Sequence, residues 1–173
     1  VLTKPLGGGV TTTAIKQEKA SDRHIKEAIQ WMSRLNKTAG QLATEFDLRG
    51  GTDITGFGLL GHGMEMAEAS KVSLLIENSH LPLLSGAHGY AEKGIFPGGA
   101  FDNKGHFGEN VRFDAEVDEP AQMLLFDPQT SGGLLLGVPP EKLMEFESRA
   151  KELGQPVWVI GEVQAGQGIV VRL

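Results

Sequence analysis

Leu134-Leu135-Leu136-Gly137-Val138, followed after Pro139 by Pro140-Glu141-Lys142-Leu143-Met144-Glu145-Phe146-Glu147-Ser148-Arg149-Ala150-Lys151-Glu152-Leu153-Gly154, is the stretch that decides the fold class. Its first five residues are an apolar run of strand length. Pro140 stands in the first helical turn, where its missing N–H costs nothing, and Glu141 suits the positive end of the helix dipole. Leu143, Phe146, Ala150 and Leu153 recur at the spacing of one helix face, and Gly154 stops the run. Val157–Ile160 and Gly168–Arg172 read as two closing strands around Glu162–Gln167. The end of the chain is therefore β-α-β-β, and the expected class is α+β: a mixed β-sheet layered with helices in one domain.

Upstream, Ile25, Ala28, Ile29, Met32 and Leu35 predict an amphipathic helix from Ser21, and a shorter one is expected over Thr38–Phe46. Arg49–Gly58 reads as a glycine-rich loop running into a helix that carries Leu59, Leu60, Met64 and Ala67. Val72–Ile76 predicts a strand closed by the Asn78-Ser79 turn, and Leu83–Lys93 a helix stopped by Gly94. Phe96 to Asn110 reads as a long irregular loop, a length that is usually functional or disordered in a compact domain. Val111–Val117 is expected as a strand and Pro120–Leu125 as a short helix. At the start, Val1–Leu6 reads as extended chain with no strand partner nearby, followed by Gly7-Gly8-Gly9 and a polar stretch. A chain that opens on Val1 in mid-strand is expected to be part of something longer, with residues 1–10 as an interdomain segment.

At 173 residues the chain can bury roughly 70% of its unfolded surface in one core. No apolar run is long enough for a membrane span, and no secretion signal opens the chain, so a cytoplasmic setting is expected. The absence of cysteine excludes disulfides, thiolate metal sites and a thiol nucleophile within these residues. A net charge of -6 with scattered lysine and arginine argues against a nucleic-acid binder. Glycine is the unusual component, at 24 residues, and 13 of them fall in Gly50–Gly63 and Gly86–Gly108. Those windows direct attention to the loops.

Gly56-x-Gly58-x-x-Gly61, with Glu77 about 20 residues on, matches the letters of a dinucleotide fingerprint. The pattern needs an apolar strand immediately before it, and Arg49–Thr55 is polar and glycine-broken. Asp53 has two readings: a ligand for a hard cation such as magnesium beside a phosphate-binding loop, or a cap of the following helix. Asp127-Pro128-Gln129-Thr130-Ser131-Gly132-Gly133 is either a second anion loop or a helix-to-strand turn. Phe96–Gly99 is a cover, an interdomain contact or a plain surface loop. His62, between glycines in a helix, is read as a packing residue. The chain contains no His-Glu-x-x-His, no Walker loop and no Gly-x-Ser-x-Gly elbow. Asn36-Lys37-Thr38 is a glycosylation sequon by letter only.

Leu2-Thr3-Lys4-Pro5-Leu6-Gly7, Thr52–His62, Pro97-Gly98-Gly99-Ala100 and Leu125–Leu134 together, in this order and spacing, resemble the C-terminal half of the selenophosphate synthetase family (selenide, water dikinases). Ile160-Gly161-Glu162-Val163 also suits the wider aminoimidazole ribonucleotide synthetase superfamily, whose C-terminal-domain fold is then expected. The resemblance covers essentially the whole chain. It implies an enzyme that uses ATP, Mg2+, water and selenide to make selenophosphate, releasing AMP and phosphate. It further implies an N-terminal half that builds most of the ATP site, supplies a reactive cysteine or selenocysteine, and forms most of a homodimer. Carried onto this sequence, it makes Asp53 a magnesium ligand.

From their glycine and hydroxyl content, Thr55, Gly56 and Gly58 and the second loop, Thr130, Ser131, Gly132 and Gly133, are expected to face the interdomain cleft. Phosphoryl transfer rests on positioning and charge neutralisation that one aspartate cannot supply. The isolated chain is therefore expected to fold and be inactive. Two other readings stand beside this one: a non-catalytic homologue that binds a nucleotide or a partner, and a superfamily relative acting on another acceptor.

Overall fold

The computed structural model describes all 173 residues, and its order of elements explains why the chain needs two sheets. Eight helices and six strands follow as α1 (Gly8–Lys16), α2 (Asp22–Ser33), α3 (Lys37–Glu45), β1 (Gly50–Asp53), α4 (Gly58–Ser70) and β2 (Ser73–Glu77). They continue as α5 (Ala87–Ala91), α6 (Gly98–Phe107), β3 (Val111–Phe113), α7 (Glu119–Leu125), β4 (Leu134–Gly137), α8 (Pro140–Glu152), β5 (Gly161–Gln164) and β6 (Ile169–Arg172). One sheet has the order β3-β6-β2-β5, with β2 and β3 parallel to β6 and β5 antiparallel to β2. The other is an antiparallel ribbon of β1 and β4, with Gly50 opposite Gly137 and Asp53 opposite Leu134. The α+β class with a mixed sheet is the observed architecture.

The elements with local signals form where expected. Ser21 caps α2 by accepting from the His24 amide, and Asp118 caps α7 by accepting from the Ala121 amide at 2.8 Å. The α8 stripe buries Phe146 and Ala150, and Phe146 meets Phe46 edge-on at 5.3 Å beneath α3. The α2 stripe is only half covered: Ala28 is buried, while Ile29 and Leu35 are 55% and 76% exposed.

Six expectations are corrected. Val1–Leu6 does have strand partners, because Leu2 bridges both Leu135 and Trp158, and Leu6 bridges Leu83. The stretch after Gly7 is not loop but α1, and α1 buries Val10 and Ala14 against α2 and α5. Arg49–Gly58 contains β1, whose backbone is held by β4 although its own side chains carry no apolar pattern. The 96–110 segment is mostly α6, a helix of poor formers fixed by burial of Ala100 and by Asn103. The fourth strand of the mixed sheet is Gly161–Gln164 rather than Val157–Ile160. It is an exposed edge strand with polar Glu162 and Gln164, and Gly161 leads it in where a Cβ would fall 1.9 Å from the Leu75 carbonyl oxygen. Similarly, α5 starts only after Gly86, which is left-handed at φ 80°.

The main core lies between the mixed sheet and α4, where Leu59, Leu60, Ile169 and Val171 meet Leu2, Ile54 and Phe126. Ile54 and Phe126 are the points at which this core reaches the two glycine-rich loops.

Candidate functional site

The two loops singled out from sequence run side by side. The Ile54 amide donates to the Gly133 carbonyl at 2.8 Å, and the Gln129 amide donates to the Thr55 carbonyl at 2.9 Å. From α6, Asn103 donates to the carbonyls of Gly56 and Phe126, each at 2.9 Å, tying both loops to one helix. The glycines have separate reasons. Gly132 is backed against Ile54, where a Cβ would lie 2.1 Å from the carbonyl oxygen, and Gly133 against Lys4, at 2.6 Å from its amide nitrogen. Gly58 is left-handed at φ 70° and packs on the Phe126 and Asp127 carbonyls. Gly56 has open space around it.

Asp53, at the end of β1, is exposed, and its carboxylate makes no hydrogen bond or ion pair within the chain. It does not cap α4: the N-cap position is Phe57, with no side-chain cap. Of the two readings of Asp53, the cap is removed. The carboxylate is free to offer one oxygen ligand to a cation such as magnesium, while no three His, Asp or Glu side chains gather into a metal site.

His62 packs and bonds at once. Its ring stacks at 5.2 Å on Phe57, Nε2 lies 2.9 Å from the Thr55 hydroxyl, and Nδ1 lies 3.1 Å from Glu65. The Phe57 amide donates to Nε2 at 3.3 Å. Nε2 is therefore the accepting nitrogen, and the Nδ1 proton goes to Glu65. The Thr55–Phe57 turn is held by a side chain one helical turn into α4.

Asp127 behaves differently from Asp53. It is fully buried and accepts the Gly9 amide at 2.9 Å, while Gln129 accepts the Gly8 amide at 2.9 Å. Gln129 also donates to the Asp127 carboxylate at 3.0 Å. The head of this loop therefore caps α1 from 118 residues away, satisfying amides that would otherwise face an apolar core. Burial pushes the Asp127 carboxyl up to about 7, against the lowering effect of hydrogen bonds from the backbone of Val10, the Gln129 side chain and the backbone of Gly9. Its Oδ1 has no partner. Asp127 thus belongs to the turn reading; the rest of the loop, Thr130 and Ser131, stays exposed. Nothing local in the sequence signals this cap.

The dinucleotide reading fails on topology. A strand does precede Gly56, but β1 pairs antiparallel with β4 and shares no sheet with β2, so β1-α4-β2 is not a parallel βαβ unit.

The chain belongs to the AIR synthase related protein, C-terminal domain family, whose model matches residues 1–173. It is 41% identical over 163 residues to the selenide, water dikinase of Clostridium botulinum strain Alaska E43, covering 94% of the chain and 47% of that protein. Against the selenide, water dikinase of Pseudomonas aeruginosa PAO1 it is 41% identical over 172 residues, 99% of the chain and 49% of the relative. The chain thus spans about half the length of the curated relatives it matches.

Among solved structures, the fold is shared with thiamine-monophosphate kinase from Stenotrophomonas maltophilia K279a (TM-score 0.68, 17% identity, 98% of this chain and 48% of that one). It is also shared with the hydrogenase maturation protein HypE of E. coli (TM-score 0.66, 17% identity, 98% and 44%). No helix is long and apolar enough to cross a membrane.

Proposed function

We propose that this chain is the C-terminal half of a selenide, water dikinase, an ATP-dependent enzyme that makes selenophosphate and releases AMP and phosphate. The observation that carries the reading is the 41% identity to such proteins across 99% of the chain. The free carboxylate of Asp53, beside two backbone-linked loops, supports the part the domain would play. In this reading Asp53 offers one ligand to Mg2+, and an N-terminal half supplies the remaining ligands, most of the ATP site, the reactive cysteine or selenocysteine and the homodimer contact. Residues 1–10 would carry the connection.

Bound magnesium would neutralise phosphate charge during transfer. The chain's own task is positioning. Thr55 and Gly56 would line one side of the cleft and Thr130 and Ser131 the other, while Gly58, Gly132 and Gly133, pressed against backbone, would shape the two turns rather than face it. His62 and Asn103 would hold the first loop in place, and the proposed setting is cytoplasmic.

The test is a phosphorus NMR time course with ATP, magnesium and selenide, using this domain joined to its own N-terminal half. Selenophosphate, AMP and orthophosphate should form, and should disappear with Asp53→Asn or without selenide. ATP left intact by the folded wild-type enzyme would favour a non-catalytic homologue. ADP as the end product would favour a relative with another acceptor.

A further inference from the structure

Residues 1–3 add an inner strand to the ribbon that β1 and β4 begin. On one side the Val1 amine donates to the Leu136 carbonyl at 2.8 Å, the Leu136 amide to Val1 at 2.9 Å and the Thr3 amide to Leu134 at 3.1 Å. On the other side Leu2 and Trp158 exchange bonds of 2.8 and 2.9 Å. The bonds alternate as in an antiparallel ladder, Val1 facing β4 and Leu2 facing Trp158. The next residue of that chain to face the same way as Leu136 is Val138. It is half-buried, and neither its N–H nor its C=O enters a backbone hydrogen bond. Such unpaired groups beside a strand end mark a ladder with a partner still to add.

An apolar cavity of about 370 Å³ opens beside Val1, in the direction this strand would run on. Val1, Leu136 and Val138 line one side of it, and Ile160 and Val163 are among the residues opposite. Val163 is 53% exposed there. Both faces of residues 1–3 are already covered, since Leu2 enters the main core and Val1 packs on the cluster of Phe46 and Phe146. Burial pushes the Val1 amine down to about 6. An amide nitrogen would make the same bond to Leu136 with no charge to desolvate.

We infer that this cavity seats the residues that precede Val1 in the joined enzyme, which prolong residues 1–3 as a strand along β4 and pair with Val138. The matching family model is that of a C-terminal domain, and the chain spans about half the length of its curated relatives. The inference rests on the reading that an N-terminal half comes before Val1, and not on the reaction. In register, the residue before Val1 opposes Gly137 and the one before that opposes Val138. With apolar walls around them, both are apolar. β4 then carries the junction between the halves at one end and, with Asp53 opposite Leu134, holds the free carboxylate at the other.

Amide hydrogen exchange in the joined enzyme reads this ladder without turnover. The Val138 amide should exchange about a hundredfold more slowly than that of Gln167, which is exposed and unbonded, and close to the rate of Leu136. Disulfide trapping, with other cysteines replaced, then tests the register. Gly137→Cys should cross-link to a cysteine at the position before Val1, because opposed residues of a non-hydrogen-bonded pair lie about 4.5 Å apart at Cα. Gly137 has room for the side chain, the nearest atoms to a Cβ being 3.6 Å away. Val163→Cys, on the opposite wall, should not cross-link. Exchange at Val138 as fast as at Gln167, or cross-linking to Val163→Cys alone, overturns the inference. So does a cross-link between two copies, seen as a doubled mass without reductant, which would give the cavity to a second chain. Should Gly137→Cys fail to fold, exchange in the wild type decides. An inactive joined enzyme with Val138 protected would refute the dikinase reading and leave this inference standing.

Discussion

Asp53 and Asp127 each open a glycine- and hydroxyl-rich loop, and the loops lie bonded to one another, yet the two carboxylates serve opposite ends. Asp53 is exposed and without a partner in the chain. Asp127 is fully enclosed and spends its oxygen Oδ2 on the Gly9 amide and the Gln129 side chain. The same division runs through the glycines: Gly56 faces open space, whereas Gly132 and Gly133 are pressed against backbone. The carboxylate of the first loop is left without a partner, whereas the head of the second loop is taken up holding α1. Residue content alone identifies an anion-binding loop poorly, since helix capping and phosphate binding call on the same side chains.

The sharpest way to break the contrast is pH. The folded Asp127 carboxyl lies at about 7 against an ordinary value of 3.8. Between those values the native state holds a proton that the unfolded chain has released, so stability falls as pH rises from about 4 to 7 and levels off above. At about 1.4 kcal/mol per unit the loss could reach about 4 kcal/mol at most. Asp127→Asn keeps an acceptor for Gly9 and should flatten that slope in denaturant melts run across the range. Asp53→Asn should leave the slope as it is.

Gly132→Ala should rank next, at about 3 kcal/mol of destabilisation, because a Cβ 2.1 Å from the Ile54 carbonyl oxygen forces the loops apart. Chemical denaturation of Gly132→Ala beside Gly56→Ala tests this, with the second expected within about 0.5 kcal/mol of wild type. Asn103→Ala should cost about 2 kcal/mol, since two carbonyls lose their donor. It should also loosen the first loop, seen as faster amide exchange at Gly56 and Gly58. Smallest in stability is Asp53→Asn, within about 0.5 kcal/mol. Its effect should appear only as lost selenophosphate formation in the joined enzyme. The chain on its own should give no selenide-dependent ATP cleavage, which phosphorus NMR would reveal directly.

Elements whose boundaries are written in nearby residues were legible. For α8 these are Pro140, Glu141 and Gly154 around an apolar stripe, and for α7 the short run from Pro120 to Leu125. β2 and β4 are apolar runs that fill the space between layers. The elements that went unread are those built by partners far away in the chain. α1 begins Gly8-Gly9 and is capped by Asp127 and Gln129; α6 is glycine-rich and rests on Asn103; β1 and β5 carry few apolar side chains and exist through hydrogen bonds to β4 and β2. Helix propensity and periodicity are local quantities, and neither registers a bond that closes across more than 100 residues.

By itself, then, the sequence determined the α+β class, the positions of the strongly patterned helices and strands, and the two loops in which to look for chemistry, because apolar spacing and glycine placement act over short distances. Only the tertiary structure decided that Asp53 is free while Asp127 is spent as a cap, and that the Lys4 ammonium is tied to the Ser131 carbonyl of the second loop. Burial and partnership, which set what a carboxylate or an ammonium can do, are properties of the neighbours a residue acquires on folding.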